Sequence, residues 1–202
     1  VLVGAPGTAA ELVQTCEAAL AAHGDAALVV DHTDGWSFFS LTGAGEAEQV
    51  NAQFVSSDFF PILGVKPLLG RSFLAGEDEI GAAPIAVISE GLWRRKFASA
   101  PDILSKGITL DGNSYSIVGV IPAGPHFPMG SASARREVFV PIGQWKNNLL
   151  TSRGAGLGIN GIGRLKPGVT IEQARADMTS VSNNLAAAFP DTNKGISARL
   201  IP

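Results

Sequence analysis

Gly156-Leu157-Gly158-Ile159-Asn160-Gly161 carries the G-x-G-x-x-G spacing with which a glycine-rich turn can cradle the pyrophosphate of a dinucleotide. That chemistry needs a turn that leaves a strand and opens a helix, because the helix amino terminus holds the anion. Here the glycines lead into a run that reads as a strand and ends at Lys166-Pro167-Gly168, and the next helix signal begins at about Thr170. The motif therefore reads as a loop. Asp31, His32 and Asp34 offer oxygen and nitrogen ligands for a divalent metal. On a strand, however, His32 and Asp34 face one way and Asp31 the other, so the trio converges only across a bend. It reads as a polar strand end. Glu77, Asp78 and Glu79 lack the alternating Asp pattern and terminal Glu of a calcium loop, and read as a solvated acidic turn.

Nucleophilic chemistry has no better footing. Ser89 lacks the glycine two residues earlier that a nucleophile elbow needs, and His23, His32 and His126 are scattered without an implied partner. Cys16, the single cysteine, lies on the apolar stripe of a predicted helix, where it reads as a small buried hydrophobe. Arg94, Arg95 and Lys96 beside Trp93 could form a contact surface, but a solvated helix face flanking a buried tryptophan accounts for them. The sequence thus assigns no catalytic, cofactor-binding or metal-ligating residue.

The elements that would position these residues can be read from capping signals and periodicity. Thr8-Ala9-Ala10-Glu11 has capping-box spacing, and Leu12, Val13, Cys16, Ala19 and Leu20 follow at helical intervals, so a helix is expected over 8–23. Strand-like runs follow at 26–31, 36–42 and 50–55. Ser57-Asp58 precedes an apolar segment closed by Gly64, a short capped helix whose apolar side should dock on the sheet. The run 84–88 reads as a fully buried strand, and Ser89 caps a helix with Leu92, Trp93 and Phe97 on one side. Asp111-Gly112-Asn113 divides Ile108-Thr109-Leu110 from a run ending at Ile121, which is a hairpin signal because Asp-Gly supplies positive φ. A further strand is expected at 137–142 and another up to Leu165. A second capping box, Thr170-Ile171-Glu172-Gln173, opens a helix over 170–188, and a last strand is expected at 196–201.

Composition narrows the function classes. Lys and Arg number 15 against 18 Asp and Glu, a net charge of −3, so no positive field favours nucleic acid. With 46% hydrophobic residues in 202, the chain can bury a sizeable core. No run approaches the roughly 18 apolar residues of a membrane span. The chain opens on Val1 rather than Met, as expected of a segment excised from a longer protein whose spans lie outside it.

Phe59-Phe60-Pro61-Ile62-Leu63-Gly64-Val65-Lys66-Pro67, then Gly70-Arg71-Ser72-Phe73 and Glu77-Asp78, resembles the core-domain signature of MacB-type ABC permeases. Val87-Ile88-Ser89 with Leu92-Trp93-Arg94-Arg95 and Phe97 continues it. So do Ile108, Leu110, Gly112 and Tyr115 with Ile117-Val118-Gly119-Val120-Ile121-Pro122, and Gly163-Arg164-Leu165-Lys166-Pro167-Gly168-Val169-Thr170. The likeness covers about 50–202 in order. It departs at Ser105-Lys106-Gly107, where the family's glycine is displaced, and residues 1–49 match weakly.

The resemblance implies an α+β fold: a membrane-proximal, porter-like α/β subdomain over 1–72 and 152–202, with an inserted strand-rich, Sabre-like subdomain over 73–151. It implies a periplasmic, extracytoplasmic domain at the cell inner membrane that couples cytoplasmic ATP hydrolysis to extracytoplasmic movement in efflux or export, without bond chemistry or cofactors of its own. The implied partners are the permease's own transmembrane helices, an ABC ATPase, a second permease protomer and, optionally, a periplasmic adaptor; the isolated domain should be a monomer. Val1 and Pro202 should then lie together at the pole opposite the insert. The rival class is a soluble extracytoplasmic ligand-binding protein or small hydrolase, since functions are grafted onto folds. Because no phosphate loop survives this reading, calorimetric titration of the chain with ATP or NAD should give only dilution heats; a saturable isotherm would reverse it.

Overall fold

The computed structural model describes residues 24–30, 38–122, 136–145, 159–195 and 200. Two compact units divide the chain, one formed by Val1–Val30 with Lys146–Pro202, the other by Asp31–Trp145. The division lies well before the expected boundary at 72/73, because 38–72 pairs and packs with the strands that follow it.

In the Asp31–Trp145 unit, β2 (Phe38–Thr42) and β3 (Glu48–Val55) form an antiparallel pair. The two-residue β4 (Leu69–Gly70) precedes β5 (Ile85–Ser89), followed by β6 (Gly107–Leu110), β7 (Asn113–Ile121) and β8 (Val138–Pro141). The pairing order β2-β6-β7-β5-β8-β3 returns to β2 through the β2–β3 ladder, so the strands form a closed ring. The hairpin β6–β7 is antiparallel around Asp111 (φ 47°) and Gly112 (φ 80°), the consecutive positive φ angles that Asp-Gly supports. Parallel β5–β7 and β3–β8 pairs complete a mixed sheet, with a register shift between Ala86↔Ile117 and Val87↔Gly119 that leaves Val118 bulged.

Residues opposite one another in a ladder share a face, and the registers trace one face around the whole ring. Leu41 lies opposite Leu110, Ile108 opposite Tyr115, Ala86 opposite Ile117, Ile88 opposite both Val120 and Val138, and Val138 opposite Ala52. All are buried, and on β2 and β6 the alternate residues are exposed or half-buried. This face is therefore the interior of the ring. β5 and β8 are apolar on both faces because their outer face is covered as well. Helix α1 (Phe59–Leu63) sets Phe59 and Phe60 against Phe139 of β8, with ring centroids 5.9 and 5.1 Å away, and Phe73 packs on Phe60 at 5.9 Å. Edge-to-face and tilted contacts of this kind add to the burial of large aromatic areas. Gly64 (φ 70°) ends the helix as the sequence predicts, whereas Asp58 makes no side-chain cap.

Helix α2 (Glu90–Phe97) starts where Ser89 Oγ accepts a hydrogen bond from Leu92 N at 3.2 Å. Leu92 is fully buried, but Trp93 and Phe97, expected in the core, are only half-buried. An eight-residue helix lying on a closed ring presents a narrow contact line, and Leu92 occupies it. Trp93 instead turns its indole N–H to Ala100 O at 3.0 Å and fastens the left-handed exit at Ala98 and Ser99. Tyr115 is buried as expected.

The other unit contains β1 (Gly24–Val30), antiparallel to β9 (Ile159–Leu165), and helix α3 (Ile171–Ala188), followed by the short α4 (Pro190–Asn193). Both halves of the predicted capping box form: Thr170 Oγ1 accepts from Gln173 N at 3.2 Å, and Gln173 Oε1 from Thr170 N at 2.8 Å. Ala174 and Met178 pack with Leu200 in a small core, beside the half-buried Leu165 and Ile171. The predicted helix at 8–23 lies outside the described residues, as do Val1, Pro202 and the strand at 196–201 except Leu200.

Burial separates the two phenylalanines. Phe139→Ala should cost about 3–5 kcal/mol, and Phe97→Ala only about 1–2 kcal/mol. Urea denaturation of both variants checks the ranking, and equal losses would mean that the burial pattern is wrong.

Candidate functional site

The residues of the signature string come together rather than scatter. Arg71 and Glu77 form a bidentate pair, Nη1–Oε2 and Nη2–Oε1 both at 2.7 Å, and Leu74 N donates to the same carboxylate at 2.8 Å. Asp78 Oδ2 accepts from Ser57 N at 2.7 Å, at the entrance to α1. These carboxylates are therefore not the solvated turn the sequence suggests: they fix the segment that carries Phe73 into the aromatic cluster. The hydrogen bonds from Arg71 hold the Glu77 carboxyl below the ordinary carboxylate range; partial burial opposes this and the Leu74 N–H reinforces it.

Glycines of the string mark where backbone meets backbone. A Cβ on Gly119 would lie 2.1 Å from Arg71 O, and one on Gly70 (φ 68°) 2.2 Å from Val118 O. The segment therefore lies directly on the bulged half of β7, with β4 pairing Leu69 to Val120 and Gly70 to Gly119. On the far side of the turn, a Cβ on Gly143 would lie 2.3 Å from Glu79 O, and Gln144 Nε2 donates to Ala82 O at 2.7 Å.

The basic stretch of α2 is likewise committed. Arg95 donates to Glu137 Oε1 at 2.7 Å and Glu48 Oε1 at 2.8 Å, joining the approach to β8 with the start of β3. Lys96 Nζ reaches Glu46 O at 2.7 Å and Glu48 Oε2 at 3.2 Å, and Arg94 pairs with Glu90 one turn earlier. The hydrogen bond from Arg95 lowers the Glu48 pKa, burial opposes it, and Lys96 adds to the lowering. The same two carboxylates push the Arg95 guanidinium up. What reads in sequence as a cationic face is an ion-pair clasp, in which each cation is matched by a carboxylate from its own helix or from the two strands.

The other candidate chemistry does not assemble. Ile159, Asn160 and Gly161 belong to β9, so the G-x-G-x-x-G stretch ends inside a strand; 156–158 lie outside the described residues. Asp31, His32, Asp34, Cys16, His23 and His126 also lie outside them. Among the described residues no three His, Cys, Asp or Glu side chains are grouped to hold a metal ion. Among the same residues no helix is long and apolar enough to cross a membrane.

A closed strand-rich unit and an α/β unit, with the signature residues as structural joints, make this an α+β protein. The sequence profile of the MacB-like periplasmic core domain matches residues 4–181, and the chain belongs to that family. It is thus a periplasmic-type domain of an ABC transporter permease family. Solved structures share its fold. The periplasmic region of MacB from Actinobacillus actinomycetemcomitans is similar at TM-score 0.62 and 13% identity, over 90% of this chain and 75% of that one. A domain ascribed to a permease protein from Porphyromonas gingivalis gives 0.65 and 16%, over 94% and 75%. The extracellular domain of the noncanonic ABC-type transporter YknZ from Gram-positive bacteria gives 0.64 and 11%, over 93% and 87%. No curated protein sequence matches the chain.

Depressed carboxylate pKa values fix the direction of the acid response. Glu77 and Glu48 contribute stability that is fully present above the unfolded carboxyl value of about 4.3 and is lost as pH falls through their lower folded values. Glu77→Gln, which removes the charge from a partly exposed pair, should cost about 1 kcal/mol at pH 7. The deficit should shrink below pH 4 in paired urea denaturations, and a deficit that grows on acidification would contradict the assignment.

Proposed function

We propose that this chain works as a coupling module of an ABC permease on the extracytoplasmic side of the inner membrane, transmitting movement driven by ATP hydrolysed in a separate domain or subunit. The observation that carries this reading is the family match over 4–181, together with the use of the signature residues as joints. Arg71, Glu77, Asp78, Gly70 and Gly119 tie one turn to a strand and a helix, which suits a part that must move without deforming. In this reading the domain is not itself an enzyme, and the work is efflux or export.

The unit formed by 1–30 and 146–202 is the porter-like, membrane-proximal part in this proposal, and 31–145 is the inserted, Sabre-like part. We draw this boundary at 30/31 in place of the expected 72/73, which is supported by the way β2, β3 and α1 complete the ring and its aromatic cover. The partners are the permease's own transmembrane helices, an ABC ATPase, a second protomer and, where the system has one, a periplasmic adaptor; alone the domain is a monomer.

The test uses the full permease with its ATPase. An epitope inserted at the exposed Asp111-Gly112 hairpin should be cut by protease added outside spheroplasts and protected in inverted vesicles. Replacing 31–145 by a short flexible linker should leave ATP hydrolysis measurable and abolish transport. An epitope accessible only in inverted vesicles would overturn the location, and undiminished transport by the shortened permease would overturn the coupling role.

A further inference from the structure

The ring of the Asp31–Trp145 unit is held unevenly. β5–β7 is joined over Ile85↔Ser116 to Ser89↔Ile121, and β3–β8 over Ala52↔Val138 to Val55↔Pro141. Two seams are short: β5–β8, with Val87↔Phe139 and Ile88↔Val138, and β2–β6, with Leu41↔Leu110 and Thr42↔Thr109. Their surroundings differ. The first lies beneath Phe59 and Phe60, is lengthened by Ser89 N donating to Glu137 O at 2.8 Å, and is anchored through Glu137 to Arg95. The second has an exposed outer face, with Phe38, Ser40 and Thr42 open to solvent.

One side chain lengthens the exposed seam. Beyond Leu110 the chain turns into the hairpin, so no backbone carbonyl continues the ladder beside Ser40. Asp111 fills that role: Asp111 N donates to Ser40 O at 3.1 Å, and Asp111 Oδ1 accepts from Ser40 N at 2.8 Å. The carboxylate stands in for a backbone acceptor and adds one more rung. Because Asp111 holds φ at 47°, the rung depends on a residue at a left-handed position, where the hairpin also needs it.

We propose that the β2–β6 seam is a conformational device, the place where the ring opens while the rest of the unit stays folded, and that the Asp111 carboxylate is its latch. Local openings follow the path of fewest buried contacts and most solvent-exposed backbone hydrogen bonds, which here is β2. Opening would bare Leu41, Leu110 and Ile108, which are apolar interior residues.

Amide hydrogen exchange followed by NMR on the 202-residue chain tests the seam without any ligand. The Ser40 and Asp111 amides should exchange at least about tenfold faster than Ser89 N and Ser116 N, which close on Glu137 O and Pro84 O. Asp111→Gly, which removes the carboxylate while accepting the positive φ, should speed exchange at Ser40 about tenfold further and leave Ser89 and Ser116 unchanged. Asp111→Asn, which keeps an acceptor oxygen, should restore the native rate. Equal protection of all four amides in the native chain would overturn the proposal, because the seam would then open only with global unfolding. If Asp111→Gly fails to fold, the native-chain comparison still decides it.

Discussion

Closure of the strand-rich ring through β2 is the constraint from which most of this structure follows. Once β2 pairs with β3 on one edge and β6 on the other, every strand of the ring has a neighbour on both sides, and one face of every strand turns to the interior. That interior must be filled by side chains of matched volume, which is why Leu41, Leu110, Ile88, Val120 and Val138 meet in register. The demand also explains why 38–72 cannot be separated from the strands after it. Removing β2 and β3 would open the ring, and removing α1 would uncover Phe139.

Outside the ring, a second layer is built from charge and from the absence of side chains. Arg71, Glu77 and Asp78 hold a turn whose backbone lies directly on Gly119 and beside Gly143, so the turn can be placed only where those residues lack a Cβ. Arg95 spans Glu48 and Glu137 and sets α2 across the ends of β3 and β8. Both groups lie partly in solvent, where an ion pair contributes little to stability but still fixes orientation through bidentate geometry. The signature residues of this chain thus act as joints, consistent with a domain whose proposed task is to transmit movement rather than to bind a small molecule.

Local signals of the described elements were legible from the chain alone. Ser89 and Thr170 cap the helices their spacing announces, Gly64 ends α1, and Asp111-Gly112 turns the β6–β7 hairpin. Each acts over three or four residues, so its energetics are contained in the sequence window that displays it. The helix facing at Trp93 and Phe97 was less legible, because apolar spacing reports a preferred side but not the width of the surface waiting for it. Here that surface admits Leu92 and leaves the two aromatics half-exposed.

The sequence by itself determined the capping and turn signals of the described elements and, through the ordered motifs, the family. Only the tertiary structure decided the partners of those motifs. Arg71 and Glu77 are six residues apart, but Gly70 meets Val118 and Arg95 meets both Glu48 and Glu137 across long stretches of chain. Which carboxylate neutralises a given cation depends on distances set by ring closure, and so does whether an acidic run is solvated or structural. Closure itself rests on non-local pairings such as Leu41 with Leu110, whose gain is realised only after an interior shared by all six strands exists, so no window of sequence contains it.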